Sequence, residues 1–404
     1  MKQLCEVAII GAGPYGLSVA AHLRARGVDY RIFGKPMDTW NAHMPRNMTL
    51  KSEGFASNLS APLEGSLIKD YCAQHGIAYS DRSTPIAIDT YLNYTKSFRD
   101  RFIPDVEETL VTKLSRGADH FELVLGTGET VTARNVVLAV GVTWFACTPD
   151  VLRSLPASLL SHSYAHRDVD QFRGKDVAVI GSGSSAIDLA HLLQETGASV
   201  RIVARRKELQ FNRVPDGDPG MLHWVKEPPS TIGRGWGSYF CAEVPHLFYR
   251  LPRQMKDRAI ASHMHPAAGW FMREQVEGRV PLMTGRKPIK AEAKDGRAVL
   301  TLASEKGEET LTVDHVIAAT GYEPDLDRLP FLDPALNAKI ARSNRSPLVS
   351  DRFETSVPGL YATGLAAMNM FGPLLRFMVG SEFAAPRLAA HLDRMQQRTM
   401  SRAA

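Results

Sequence analysis

Two glycine-rich stretches, about 170 residues apart, are the residues in this chain whose types and spacing could do chemistry. The first reads Val7-Ala-Ile-Ile-Gly11-Ala-Gly13-Pro14-Tyr15-Gly16, and the second Val177-Ala-Val-Ile-Gly181-Ser182-Gly183-Ser184-Ser185-Ala186. Each follows an apolar run and opens a helix-like stretch. Glycine at the first two positions permits a tight turn and close approach of a pyrophosphate. The third small residue lets the helix pack on the strand, and the helix N-terminus offers N–H groups and a positive dipole end to the phosphates. Either stretch alone could be an ordinary glycine turn; the shared strand–loop–helix setting implies two dinucleotide cofactors. A chain that holds two dinucleotides is expected to pass electrons between them.

The residue ending the second strand of each unit discriminates between cofactors. An acid there would hold a ribose 2′-OH, and arginine would accept a 2′-phosphate. The second unit ends Val203-Ala204-Arg205-Arg206, with two arginines and no acid. Planar guanidinium suits a phosphate monoester, so NADPH is expected over NADH; the alternative for Arg205 and Arg206 is a solvated face. The first unit ends Phe33-Gly34-Lys35. Its ribose acid is missing, and Lys35 or backbone groups are expected to replace it.

These loops need strands and helices to position them. Residues 5–10 predict a buried parallel strand, 14–26 a helix stopped by Gly27, and 30–33 a second strand. Residues 35–65 are irregular, while 66–76 and 89–102 have helical patterns. Strands are expected at 110–114, 121–125, 130–132 and 135–141, followed by a connector over 142–173. The second unit starts at 176, with a helix over 184–196 and a strand over 200–203. Residues 211–290, rich in Pro, Gly and aromatics, predict an insertion around a pocket. A hairpin is expected from 297–302 and 310–313, and a last helix over 373–392 with a frayed tail after 393. The fold class is α/β, with two Rossmann-like dinucleotide-binding domains, the second inserted in the first. The expected divisions are 1–165, 166–317 and 318–404.

Composition narrows the function classes. The 404 residues are 44% hydrophobic and 23% charged, with a net charge of +5. That is a soluble globular balance, and no nucleic-acid footprint. No apolar run approaches the roughly 18–20 residues of a membrane span. The first strand begins by about residue 6, which leaves no room for a leader and points to the cytoplasm. The four cysteines, at 5, 72, 147 and 241, have neither CxxC nor metal-ligand spacing. A redox dithiol, a structural zinc and a disulfide framework are therefore not expected. His263-Met-His265 lacks further organised ligands, so no metal is expected. Nothing in the sequence sets an oligomeric state.

The two loops, together with Ala318-Ala-Thr-Gly321-Tyr and Gly359-Leu-Tyr-Ala-Thr-Gly364, resemble the two-dinucleotide flavoproteins. Within that group the chain is similar to the flavin-containing monooxygenases and the related N-hydroxylating and Baeyer–Villiger enzymes. The resemblance implies FAD at the first loop and NADP(H) at the second. It implies cofactor contacts at Gly11, Gly13, Pro14, Tyr15, Gly16, Lys35, Trp40, Val111, Gly141, Gly321, Gly364, Pro373 and Leu374. It also implies them at Gly181, Ser182, Gly183, Ser184, Ser185 and Ala186, with Arg205 and Arg206 behind. Ser57-Asn58-Leu-Ser60 resembles the family segment whose asparagine lies beside the flavin; a surface turn is the alternative. Pro373 is expected to open a helix aimed at the flavin, with Arg376 adding charge or binding substrate, or else forming a structural salt bridge. The family fingerprint before the second loop is matched loosely by His162, His166 and Arg167. Pro156 and Ser158 stand in place of its Phe and Gly.

The function implied is a monooxygenase that uses a C4a-(hydro)peroxyflavin, with O₂ and a small soluble metabolite as its partners. The substrate is expected to be oxidised at nitrogen, at sulfur or on an aromatic ring. An NADPH-dependent flavoprotein reductase without oxygen transfer is the alternative, and a non-catalytic redox sensor the third reading.

Overall fold

The structure is a computed structural model, which describes residues 4–82, 84–213, 225–263 and 267–403. Two sheets organise it. β1 (Leu4–Ile10) pairs in parallel with β2 (Tyr30–Phe33) on one side and β5 (Thr130–Leu138) on the other. Val7, Ala8 and Ile9 are fully buried because a central parallel strand is covered on both faces, which is why this stretch is an unbroken apolar run. β3 (Val111–Arg116) and β4 (Phe121–Leu125) extend the sheet as an antiparallel meander, in the order β2-β1-β5-β4-β3. The runs expected at 130–132 and 135–141 form one strand, because Arg134 simply faces outward from the continuous ladder of β5 on β1.

The crossover from β1 to β2 is α1 (Pro14–Ala25). α2 (Asp38–Ala42), α3 (Ile68–Gln74) and α4 (Ile88–Phe102) follow. The apolar stripe of α4 buries Tyr91, Tyr94, Phe98 and Phe102 against the rest of the first core.

The second sheet repeats the plan with β6 (Leu160–His162), β7 (Asp176–Ile180), α5 (Ser184–Glu195) and β8 (Ser199–Ala204). β6 lies in what the sequence suggests is a connector. Three residues are too few to show a period, and it is a strand because it pairs with residues 316–318. After the short hairpin of β9 (Pro229–Ser230) and β10 (Gly233–Arg234), the sheet is completed by β11 (Leu282–Thr284). β12 (Lys287–Lys294), β13 (Arg297–Ser304) and β14 (Gly307–Val313) form a separate antiparallel sheet. The expected hairpin is thus three-stranded; the Lys-rich outer strand hid its alternation behind exposed charges. β15 (His315–Ala318) returns to the second sheet, giving the parallel order β11-β8-β7-β15-β6.

The chain then goes back to the first sheet. After β16 (Arg342–Ser343) and β17 (Ser346–Pro347), β18 (Leu360–Ala362) adds to β5. The last helix starts later than the sequence pattern indicates. Residues Pro373–Arg376 make a 3₁₀ turn, the backbone is extended at Phe377, and the helix runs Gly380–Ala403 through the tail expected to fray. Tyr15 supplies the reason for the break, since its hydroxyl occupies the carbonyls of Leu375 and Phe377. The helix buries Leu388 and Leu392, and Arg26 pairs with Asp393 at 3.6 Å. Among the described residues, no helix is long and apolar enough to cross a membrane.

Candidate active site

The two glycine loops have nearly the same geometry. Gly11 N–H donates to the Phe33 carbonyl at 2.8 Å, and Gly181 N–H to that of Val203 at 3.0 Å. Each thus ties the loop to the end of the neighbouring strand. Gly11 has φ +112° and a Cβ there would lie 2.2 Å from the Ala139 carbonyl oxygen; at Gly181 the values are φ +147° and 2.3 Å from that of Ala319. Only glycine passes these carbonyls. A Cβ at Gly16 would lie 1.8 Å from the Gly11 oxygen, so α1 sits against its loop with no room for a methyl. Ala186 takes the corresponding place in the second unit and is fully buried.

Gly13 and Gly183 differ from these. Each is the extended N-cap of its helix, no side chain caps it, and neither first turn contains an acid. A Cβ at either would meet nothing within 4 Å. Open space therefore lies in front of two positive helix ends, each reached by backbone rather than side chains. Both fit a dinucleotide pyrophosphate. Pro14 occupies the first turn of α1 and Ser184 that of α5, with Ser182 partly exposed between the two glycines and Ser185 exposed after them.

At the strand ends, Gly34 is held at φ +134° and donates its N–H to the Glu107 carbonyl at 3.0 Å. The left-handed conformation explains why no acid stands there, and Lys35 is exposed beside it. Arg205 and Arg206 follow β8 directly, starting two residues beyond the Val203 that holds Gly181. Arg205 is exposed and Arg206 partly so.

A cavity of about 720 Å³ lies between the two units. Trp40, Lys51 and Phe55 line it from the first unit, and Ser184, Ser185 and Asp188 from α5. The 211–290 region contributes residues 229–235 together with Trp270 and Phe271, and the chain after the second sheet contributes Tyr322 and Phe377–Val379. Trp224 and His265 lie outside the described residues. Among the described residues, no group of three or more His, Cys, Asp or Glu gathers for a metal.

The other sequence-selected residues divide into those near this cavity and those that build its walls. Trp40 packs on Tyr91 with ring centroids 4.8 Å apart. Gly141, at φ +72°, follows β5, and a Cβ there would come to 3.8 Å of the Thr39 hydroxyl. Gly321, at φ +85°, follows β15 in the equivalent place. Gly364 at φ +64° is buried, and a Cβ there would press on the Tyr15 ring at 3.2 Å. Pro373 and Leu374 are buried in the 3₁₀ turn. Val111 is the first residue of β3, on the outer strand of its sheet and opposite Leu125.

Asn58 is buried and locally engaged. Its Nδ2 donates to the Phe55 carbonyl at 2.9 Å, and its Oδ1 accepts from Ile68 N–H at 3.0 Å. It also hydrogen-bonds Glu382, whose carboxyl is raised by burial and drawn back by that bond. The amide is thus engaged at both its nitrogen and its oxygen by backbone on either side of it. It pins the 54–68 loop to the C-terminal helix, so the surface-turn alternative is corrected too. Arg376 is largely buried next to Tyr322. Burial lowers the Arg376 pKa, with Tyr322 opposing, and burial pushes the Tyr322 hydroxyl up to about 12.

The segment resembling the degraded fingerprint joins the two units. Arg167 donates to the carbonyls of Trp40 at 3.2 Å and Met44 at 3.5 Å, and its own carbonyl accepts from Arg46 N–H at 2.9 Å. His162 Nε2 donates to the Gly321 carbonyl at 3.2 Å while its Nδ1 accepts from Tyr164 N–H. Ser161 bridges His166 Nε2 at 2.6 Å and His315 Nε2 at 2.7 Å. His315 Nδ1 faces the Ser158 carbonyl at 3.2 Å, so that nitrogen carries the proton and Ser161 donates to Nε2. His166 must then donate to Ser161. Burial lowers the pKa of His162 and of His166 to about 4, so both rings are neutral.

Sequence reasoning missed Lys51, Asp188, Ser161 and His315. A lone charge or hydroxyl carries no pattern, and no local spacing links residues that meet only through the fold.

Comparison with known proteins agrees with this architecture. The family profile described as pyridine nucleotide-disulphide oxidoreductase matches residues 8–223. The chain is 22% identical over 363 residues to a ferredoxin–NADP reductase of Ignicoccus hospitalis, covering 89% of each. It is 25% identical over 415 aligned positions to an FAD-dependent urate hydroxylase of Xanthomonas campestris, covering 95% of this chain and 84% of that one. Among solved structures, an ornithine N-hydroxylase of a Kutzneria species superposes with a TM-score of 0.78 at 16% identity, over 98% of this chain and 100% of that one. A bacillithiol disulfide reductase from Staphylococcus aureus does so at 0.63 and 18%, over 96% and 98%. With more than half its residues inside the family match, this chain belongs to the pyridine nucleotide-disulphide oxidoreductase family and has the two-dinucleotide fold shared with flavin monooxygenases.

Proposed function

We propose that this oxidoreductase is an FAD- and NADPH-dependent monooxygenase of a small soluble metabolite, oxygenated at nitrogen, at sulfur or on an aromatic ring. The observation that carries the reading is the shared cavity. It reaches the first turn of α5 and the loop after α2, and no cysteine lines it; Cys5, Cys72, Cys147 and Cys241 are all free. Electrons delivered there meet no thiol, which leaves a dissolved acceptor.

Bound between the loops, the flavin would supply hydride acceptance from NADPH and the activation of O₂. The chain's own residues do the rest. Gly11, Gly13 and Gly16 hold one pyrophosphate at α1, and Gly181, Gly183 and Ala186 the other at α5. Arg205 and Arg206 bind the 2′-phosphate. Trp40, Phe55 and Trp270 line the cavity with apolar surface and exclude water. Tyr322 lines that space, and burial holds its hydroxyl in the protonated form. The NADPH unit begins before the expected boundary at 166, because β6 already belongs to the second sheet; it runs to β15, and the chain on either side forms the FAD unit.

The second reading, a reductase without oxygen transfer, is favoured by the ferredoxin–NADP reductases among the relatives. The two separate when FAD-loaded protein oxidises NADPH in air with a panel of amines, thiols and aromatic acids. A metabolite that accelerates NADPH consumption without matching peroxide, and gains one oxygen by mass, supports the monooxygenase. One peroxide per NADPH with every compound supports the reductase.

A further inference from the structure

The cavity holds a charge pair that neither glycine loop accounts for. The Lys51 ammonium meets the Asp188 carboxylate on its wall, with side chains only 18% and 9% exposed. A pair this deep gains little net stability, because desolvation of both charges offsets their attraction; what it does fix is geometry. Asp188 is buried, and burial raises its pKa while Lys51 draws it back.

The two ends belong to different units. Lys51 sits in the 46–60 segment, where Leu50 N–H donates to the Ile86 carbonyl at 2.8 Å and Ser60 N–H donates to the Ser18 hydroxyl of α1 at 3.0 Å. That segment therefore moves with the helix of the first loop. Asp188 lies one turn into α5, on the helix whose first turn begins at Ser184 beside Gly183. The pair is thus one helical turn away from the second glycine loop. A second ion pair that joins the units, Arg46–Asp168, is exposed and 3.9 Å long. Such a pair contributes little.

We propose that Lys51 and Asp188 are positioning residues that couple the units: filling the second loop fixes α5, and the pair transmits that position to the 46–60 wall of the cavity. This rests on the reading of the second loop as the NADPH site.

The test uses FAD-loaded enzyme and the variants Lys51→Met, Asp188→Asn, the double variant and Lys51→Arg, with FAD content and melting temperature recorded for each. Hydrogen–deuterium exchange is followed on adding NADP⁺, and anaerobic flavin reduction at saturating NADPH is timed. In the unaltered enzyme, NADP⁺ should protect 184–195 and 46–60 together. In either single variant it should protect 184–195 alone, and reduction should slow roughly tenfold to a hundredfold, as for a reactant held out of place. Lys51→Arg should restore most of the rate, and the double variant should be no slower than the worse single one. Protection of both segments in the single variants, with unchanged reduction, overturns the coupling alone. No protection of 184–195 in the unaltered enzyme overturns the cofactor reading and the coupling with it.

Discussion

The Tyr15 hydroxyl, in the first turn of α1, lies 3.0 Å from the Leu375 carbonyl and 2.8 Å from that of Phe377. A residue two positions after Gly13 thereby fixes the C-terminal turn, 360 residues away in sequence. The first loop and the turn that ends at Arg376 behave as one body. Tyr15→Phe keeps the ring against Gly364 and removes only the hydrogen bond. It should cost about 1–3 kcal/mol of stability and loosen FAD retention. Thermal melts and an FAD titration followed by flavin fluorescence measure both. Unchanged values would remove the link between loop and turn.

Gly11 and Gly181 should separate the two cofactors. Alanine at either drives a Cβ into a backbone carbonyl that cannot swing aside. Gly11→Ala should abolish FAD retention. Gly181→Ala should leave FAD bound and weaken NADP⁺ by tenfold or more, roughly the 1–3 kcal/mol of a strained backbone position. Equilibrium dialysis with each cofactor checks the pair. Loss of FAD from Gly181→Ala would reassign the loops.

Arg205 and Arg206 should set the choice of nicotinamide cofactor. Arg205→Ala with Arg206→Ala should lower kcat/KM for NADPH about 10- to 100-fold, the worth of one charge-assisted hydrogen bond or so, and leave NADH almost unaffected. Steady-state kinetics with both cofactors decide it. An equal fall with NADH would show that the arginines serve the fold instead.

The histidines should make the fold acid-sensitive. His162 and His166 have pKa values lowered by burial from 6.5 to about 4. Above about pH 6.5 both states are neutral and the packing contributes fully. As the pH falls towards 4 the unfolded chain takes up protons that the buried rings refuse, so stability is lost across that window. Each ring accounts for at most about 3 kcal/mol. Melting temperatures from pH 7 to 4.5 should fall steadily, and His166→Asn should fall less steeply, by one proton. A flat profile would mean that the rings titrate freely.

The sequence by itself determined both glycine loops, because their geometry is local. A turn that must pass a carbonyl admits only glycine, and the strand before it and helix after it show in the periodicity of a few consecutive residues. Gly11, Gly16, Gly181 and Ala186 were therefore legible. The tertiary structure decided everything that depends on distant segments meeting. Asn58 looked like a donor for chemistry, yet Phe55, Ile68 and Glu382 engage its amide. The last helix seemed to open at Pro373, yet Tyr15 holds the carbonyls that would have continued it and the helix begins at Gly380. Lys51 and Asp188 carry no motif at all. They face one another only because one unit is folded against the other around a common cavity, and no periodicity along a chain encodes a contact across 137 residues.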